Sequence, residues 1–138
     1  MPKSNFLLID TDPGSLAQLK SMIEAWGYHV VAMTDFPRSL GWFTQHLPPY
    51  VILDADIPGA SKFTSEIRTL SADVLIIAMA SAQRMHLVME NLKHSAEAFL
   101  TKPVAPVALE IAVQRVHRTS RLLEAVRQTC RQDRNTRT

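Results

Sequence analysis

The sequence lacks the features that mark secreted, membrane-spanning and disulfide-bonded proteins. Among its 138 residues there is a single cysteine, Cys130, so no disulfide can form within the chain. The longest apolar run, residues 74–80, is far shorter than the roughly 20 residues that a membrane span needs. An acid, Asp10, stands where the apolar stretch of a signal peptide would continue. We therefore expect a cytoplasmic protein without a membrane partner.

The sequence also lacks a motif for zinc or for nucleic acid. Its five histidines follow no metal-ligand spacing. Residues 114–138 carry seven arginines and only two acids, and such a basic tail occurs in some nucleic-acid-binding proteins. The tail contains no aromatic residue that could stack on bases. We therefore expect a solvated helix end, and nucleic acid is not an expected partner.

What is present is the composition of one globular domain. Apolar residues make up 46% of the chain and charged residues 20%, and the length suits a single core. Short apolar runs alternate with longer segments in which apolar residues recur every three or four positions. The predicted strands are residues 6–9, 28–33, 50–53, 74–79 and 98–100.

A helix follows each predicted strand, and the last helix is expected to run from about Pro106 toward Cys130. Continuous apolar strands are typical of a parallel sheet whose two faces are both covered by helices. Right-handed crossovers between such strands give a doubly wound sheet. The sequence therefore predicts a single α/β domain with an extended last helix.

Charged residues follow three of the five predicted strands. Asp10 and Asp12 follow the first strand, Asp54 and Asp56 the third, and Lys102 the fifth. Ligands of doubly wound sheets bind beyond the carboxyl ends of the strands. We therefore expect Asp10, Asp54 and Lys102 to converge, while Asp12 caps the helix that it precedes.

Five segments of the chain resemble, in their order along the sequence, segments of the receiver domain of two-component response regulators. They are LLIDTDP, EAWGYHVV, YVILDADIPG, AEAFLTKP and the closing helix, and the resemblance covers residue 4 to about residue 120. It implies a flavodoxin-like (βα)5 fold with the parallel strand order 2-1-3-4-5. It also implies a receiver domain over residues 1–118. Residues 119–138 are then a helical extension with a basic tail, and a candidate linker to an output domain.

The resemblance assigns a role to each residue of the expected cluster. Asp54 matches the aspartate that accepts a phosphoryl group, and Lys102 matches the lysine that pairs with the phosphoryl oxygens. Mg²⁺ is implied at Asp10, at Asp54 and at the backbone carbonyl of Asp56. A divalent cation and a lysine together neutralise the charge that develops on the phosphoryl oxygens.

By the same resemblance, the protein is a signalling switch and not a metabolic enzyme. Its implied partners are a sensor histidine kinase or phosphotransfer protein, which supplies the phosphoryl group, and an output protein or domain. The resemblance also implies a bacterial two-component system.

Two positions depart from the pattern of the family. Thr11 replaces the second of two adjacent acids, which predicts weakened Mg²⁺ binding. Ala80 stands where the family has a switch hydroxyl, and Ser81 would supply one only if the register slipped by one residue. A third switch position conforms, because Phe99 matches the aromatic residue that swings inward on activation.

Other functions are compatible with parts of the sequence. A degenerate receiver would keep the fold as a phosphorylation-independent interaction module, and Thr11 and Ala80 favour this alternative. The two D-x-D pairs also resemble those of aspartate-dependent phosphohydrolases, but no further acid follows the fourth strand. The DTDPG segment resembles the opening motif of nucleoside hydrolases, although the second acid pair of that motif is missing and the chain is too short for that fold.

Apolar positions continue along the last helix beyond the expected sheet. Five residues recur at alternating spacings of three and four, namely Val116, Thr119, Leu123, Val126 and Cys130. This spacing is typical of the seam of a short coiled coil. It predicts that the last helix either forms a homodimer or connects the domain to an output domain. The alternative is a frayed amphipathic tail.

Overall fold

The computed structural model describes residues 5–136, with side-chain surroundings up to residue 133, and alternates five strands with five helices. The strands are β1 (Phe6–Ile9), β2 (Val30–Met33), β3 (Tyr50–Asp54), β4 (Leu75–Ser81) and β5 (Ala98–Lys102). The helices are α1 (Pro13–Ala25), α2 (Phe36–His46), α3 (Ala60–Leu70), α4 (Met85–Leu92) and α5 (Pro106–Thr136). Within residues 5–136, no helix combines the length and apolar character needed to cross a membrane.

All strand pairs of the sheet are parallel, and the strand order is β2-β1-β3-β4-β5. The predicted doubly wound fold and strand order are therefore confirmed. Alternate residues of a strand face opposite sides of a sheet. Phe6 and Leu8 accordingly belong to the core that α1 and α5 cover, whereas Leu7 and Ile9 face α2, α3 and α4.

The predicted bounds of β2, β4 and β5 were wrong. β4 and β5 continue to Ser81 and Lys102, because these two residues pair with each other and Ala80 pairs with Thr101. The predictions stopped these strands at residues 79 and 100. Ala80 and Ser81 are therefore the last two residues of β4 and do not follow it. β2 is shorter than predicted, since its partner strand β1 has four residues.

The last helix is longer than the sequence suggested. α5 comprises 31 residues, and at about 1.5 Å per residue it is roughly 46 Å long. It crosses the expected domain boundary at residue 118 without a break, so the division stays a prediction. Val116 is fully buried in the domain core and therefore does not belong to the predicted seam. Beyond it, Arg127 contacts Asp73 at 2.7 Å and so ties the extension to the start of β4.

Candidate functional site

The predicted cluster forms at the carboxyl ends of the strands. Asp54 ends β3 and Lys102 ends β5, on either side of β4. Lys102 crosses the end of β4, and its Nζ lies 2.9 Å from Oδ1 and 3.0 Å from Oδ2 of Asp54. Asp54 is only 4% exposed. A carboxylate at this depth is stable only with a charged or hydrogen-bonded partner, which Lys102 supplies.

Lys102 also contacts a second carboxylate. Its Nζ lies 3.0 Å from Oδ2 of Asp56. Burial by itself would lower the pKa of the Lys102 ammonium, but hydrogen bonds to Asp54 and Asp56, together with their charges, raise that pKa above its usual range. Lys102 is therefore held in its charged form between two acids.

Asp10 lies directly after β1 and is 3% exposed. Its Oδ1 accepts a hydrogen bond from the backbone N–H of Asp12 at 3.0 Å. Burial raises the pKa of Asp10 most, the Asp12 amide lowers it, and the charge of Asp54 raises it further, so that the pKa lies above its usual range. Asp10 and Lys102 line the same small cavity of about 140 Å³. The cavity therefore contains a carboxylate whose charge is only partly compensated.

Asp12 does not join this cluster but caps α1, as predicted. Its two carboxylate oxygens accept hydrogen bonds from the backbone N–H groups of Gly14 at 3.3 Å and Ser15 at 3.4 Å. These are two of the amide donors that a helix start leaves without a partner inside the helix. Pro13 follows the cap at a position where a missing N–H does no harm.

The side chain of Asp56 makes contacts that the sequence analysis did not predict. Its Oδ2 accepts a hydrogen bond from the backbone N–H of Ser81 at 2.9 Å, besides its contact with Lys102. Its Oδ1 lies 3.3 Å from Nε of Arg84. Burial would raise the pKa of Asp56, but the hydrogen bonds and charge of Lys102 and the hydrogen bonds of Ser81 lower it below its usual range. The predicted metal contact of its backbone carbonyl stays a prediction.

The remaining predicted residues surround this cluster. Ala80 is fully buried, while Ser81 is half-buried and directs its backbone N–H at Asp56. Phe99 is half-buried and packs against the core beneath α2, α3 and α4. Thr11 is exposed and lines a separate groove of about 540 Å³. The structure therefore provides no side-chain hydroxyl at position 80.

The acids present at the site fit a magnesium ion that keeps part of its water shell. Among residues 5–133, no three metal-binding side chains converge on one point. Mg²⁺, however, is commonly bound through only one or two carboxylates, with waters completing its shell. Asp10 and Asp54 are two buried carboxylates; burial raises the pKa of Asp10 most, and repulsion from Asp54 raises it further. A divalent cation would relieve that repulsion.

Comparison with known proteins decides the family. A family model described as the response regulator receiver domain matches residues 6–114. The chain belongs to the response regulator receiver domain family. Receiver domains are signalling switches that interact with histidine kinases and output domains, and they generally bind Mg²⁺ at the phosphorylation site.

The curated relatives of this receiver domain are longer proteins. The two-component response regulator ORR21 of Oryza sativa subsp. indica is 30% identical over 115 residues, which are 81% of this chain and 17% of that protein. The probable transcriptional regulator ycf27 of Guillardia theta is 29% identical over 118 residues, which are 84% of this chain and 46% of that protein. The chain thus spans less than half the length of either. Since one of these relatives comes from rice, the expected bacterial source stays a prediction.

Solved structures agree on the fold. A receiver domain protein from Clostridium thermocellum has a TM-score of 0.80 at 24% identity, over 89% of this chain and 99% of that one. NtrX from Brucella abortus, solved in complex with ADP, has a TM-score of 0.84 at 17% identity, over 92% of this chain and 29% of that one. At these identities the likeness concerns the fold alone.

The partly compensated charge of Asp10 leads to a stability prediction. Because the pKa of Asp10 is raised in the folded protein, its ionised form weakens folding at neutral pH. The penalty is absent below the ordinary pKa of an aspartate, where the group is protonated in both states. We expect Asp10→Asn to raise the free energy of unfolding by on the order of 1 kcal/mol. Urea denaturation at neutral pH without divalent cations measures this change.

Asp12→Asn is the matched control, two residues away. Asp12 is exposed, and asparagine caps a helix about as well as aspartate does. Its stability should therefore stay close to that of the wild type. A loss of stability in Asp10→Asn, or equal changes in both variants, would contradict the prediction.

Proposed function

We propose that this receiver domain accepts a phosphoryl group on Asp54 from a sensor histidine kinase or phosphotransfer protein. The observation that carries the proposal is the pairing of a buried aspartate at the end of β3 with a lysine from the end of β5. This pair supplies a nucleophilic carboxylate beside a cation that can follow the phosphoryl oxygens. The family membership supports the same function.

In the proposed transfer, one carboxylate oxygen of Asp54 attacks the phosphorus of a phosphohistidine. The new P–O bond forms as the P–N bond breaks, and the bonding electron pair leaves with the imidazole of the donor. The ammonium of Lys102, now shared by both oxygens of Asp54, then pairs with the transferred oxygens. Electrostatic stabilisation of this kind supplies most of the catalysis in phosphoryl transfer.

The proposed metal ligands are Asp10, Asp54 and the backbone carbonyl of Asp56. Mg²⁺, when bound, supplies positive charge to the phosphoryl oxygens. Asp10 then serves as the acid that holds the cation, while Asp54 is both a ligand and the acceptor. Thr11 offers no carboxylate at the position of the second acid of the family, so the affinity for the cation is expected to be low.

The output of the switch is proposed to be a change in a protein-interaction face that a separate output protein or domain reads. The domain acts as a switch, with at most partial autocatalysis of its own phosphorylation and dephosphorylation. The division into a receiver over residues 1–118 and an extension over residues 119–138 is part of the same proposal. The cytoplasmic location expected from the sequence stays a prediction.

Intact-protein mass spectrometry tests phosphoryl acceptance directly. We expect the wild-type chain to gain one phosphoryl group when it is incubated with acetyl phosphate and Mg²⁺, because a positioned carboxylate can attack this small donor without a kinase. Asp54→Ala should gain none. Asp12→Asn should gain one like the wild type, since Asp12 only caps α1.

The other outcomes separate the alternatives. A folded wild type that gains no phosphoryl group would favour the degenerate receiver, to which Thr11 and the buried Ala80 already point. Rapid hydrolysis of many equivalents of acetyl phosphate, without a stable labelled state, would favour the aspartate-dependent phosphohydrolase.

The position of Thr11 leads to a prediction about metal affinity. We expect Thr11→Asp to raise the affinity for Mg²⁺ about tenfold or more, because Mg²⁺ sites gain affinity with the number of charged oxygen ligands. Calorimetric titration with Mg²⁺ alone measures this without any phosphorylation. Thr11→Asn, of similar size but uncharged, is the control, and equal affinities for the two variants would refute a metal site beside Thr11.

The last helix leads to a prediction about oligomeric state. Without Val116, the predicted seam consists of Thr119, Leu123, Val126 and Cys130, of which Val126 is 61% exposed. We propose that a second copy of the chain covers this seam. Light scattering of the full chain should give a dimer, and Val126→Glu or removal of residues 119–138 should give a monomer.

Ala125→Glu is the matched control for the dimer. Ala125 is exposed on the same turn of α5 but lies outside the seam. This variant introduces the same charge and should stay dimeric. A wild-type chain of monomeric mass would exclude the coiled coil and leave the extension as a solvated helix.

A further inference from the structure

The side chain of Asp56 connects the candidate phosphorylation site to the turn between β4 and α4. Its Oδ2 lies 3.0 Å from Nζ of Lys102 and accepts the backbone N–H of Ser81 at 2.9 Å. Its Oδ1 lies 3.3 Å from Nε of Arg84. One carboxylate thus contacts the lysine that holds Asp54 and two points of the next turn.

Lys102 cannot change partners without affecting Asp56. Its ammonium has three N–H donors, and three carboxylate oxygens lie within 3.0 Å of Nζ, two from Asp54 and one from Asp56. Any change on Asp54 that draws the ammonium outward therefore weakens its contact with Asp56. The negative charge of Asp56 and the negative charge carried at Asp54, on its carboxylate or on a phosphoryl group bound to it, would then repel each other.

The turn that Asp56 contacts is short and leads directly into α4. The backbone N–H of Arg84 donates to the carbonyl of Ser81 at 3.1 Å, which closes the turn. The backbone N–H of Val88 donates to the carbonyl of Arg84 at 2.9 Å, which begins the helix. A displacement of Asp56 therefore acts on Ser81 and Arg84, the two ends of the turn.

Asp56 contacts the end of β4 at Ser81 and not at Ala80. Ala80 is fully buried and its methyl group cannot form a hydrogen bond. The adjacent Ser81 does carry a hydroxyl, and its backbone N–H donates to Oδ2 of Asp56 at 2.9 Å.

We propose that Asp56 is a positioning residue that transmits a change at Asp54 to the turn between β4 and α4. Lys102 connects it to Asp54, and Ser81 and Arg84 connect it to the turn. The trigger rests on the proposed phosphorylation of Asp54, but the connection itself is present in the unmodified chain. It can therefore be tested without any phosphoryl group.

The first test is a double-mutant cycle on the unmodified full chain, read by residue-resolved amide hydrogen exchange. In Lys102→Met, repulsion from Asp54 should move Asp56 away from Ser81 and leave the amide of Ser81 without its acceptor. We expect exchange at Ser81 to become about fivefold faster, the factor that corresponds to one lost hydrogen bond. In the Asp56→Asn background, the same Lys102 substitution should leave that exchange rate nearly unchanged.

A purely structural role of Asp56 predicts a different result. In that case, the effects of Lys102→Met and Asp56→Asn on Ser81 exchange would simply add, which would overturn the proposal. Should Lys102→Met fail to fold, Lys102→Gln replaces it in the cycle with the same expectations, because glutamine also lacks the charge that bridges the two acids.

Variants of Arg84 test the second half of the connection. We expect Lys102→Met also to change the hydrogen exchange of amides 85–88 at the start of α4. This change should persist in Arg84→Lys, which keeps the positive charge, and disappear in Arg84→Gln. Glu90→Gln is the matched control on α4, because Glu90 pairs only with Lys93 among the described residues, at 3.0 Å. It should leave the exchange of Ser81 unchanged, and an effect as large as that of Arg84→Gln would contradict the proposed route.

The second test adds acetyl phosphate and Mg²⁺ and monitors both mass and exchange. Phosphorylated wild type should show altered exchange at Ser81 and over residues 85–88, while Asp56→Asn, labelled to the same extent, should not. Equal responses in the two labelled proteins would overturn the role of Asp56. A wild type that gains no phosphoryl group would refute the proposed function, whereas the cycle on the unmodified chain would still decide the connection.

Discussion

The site depends on the ion pair between Lys102 and the buried Asp54. A carboxylate that is 4% exposed at the end of a central strand would destabilise the fold if it had no partner. Lys102 reaches Asp54 because β5 stays paired with β4 up to Lys102, which lies opposite Ser81. The length of β5 and the electrostatics of the site are therefore parts of one arrangement, in which the parallel sheet brings distant charges together.

The charged residues at the carboxyl ends of the strands are not equally paired. Lys102 pairs with Asp54 and, together with Arg84, with Asp56, whereas Asp10 has one backbone amide and no ion pair in the described part of the chain. We propose that this asymmetry favours the binding of an additional cation, and that Thr11, which offers no carboxylate, limits how tightly such a cation is held. The described site thus keeps a buried aspartate and its lysine, while Thr11 and Ala80 stand at the two positions that depart from the pattern of the family.

The contacts of Asp56 offer a physical account of how a change at the site could reach α4. Its carboxylate lies between the lysine of the site and the start of α4, and two ion pairs and one hydrogen bond connect them. The first half of the long α5 packs on the core through Leu109, Val113 and Val116, and farther along the helix Arg127 contacts Asp73. The molecule thus has a site at one end of the sheet and an extended helix that reaches past the other.

The sequence by itself determined the architecture and most of the cluster. Alternating apolar runs predicted five strands and five helices, and the charged residues at their ends predicted that Asp10, Asp54 and Lys102 would converge, because parallel strands place their carboxyl ends at one edge. Only the tertiary structure decided where β4 and β5 end, since ladder pairing extends past the apolar runs. It alone placed Val116 in the core, and it alone turned the side chain of Asp56 toward Arg84. Contacts between residues far apart in sequence depend on register and on side-chain direction, and neither leaves a periodic signal in the chain.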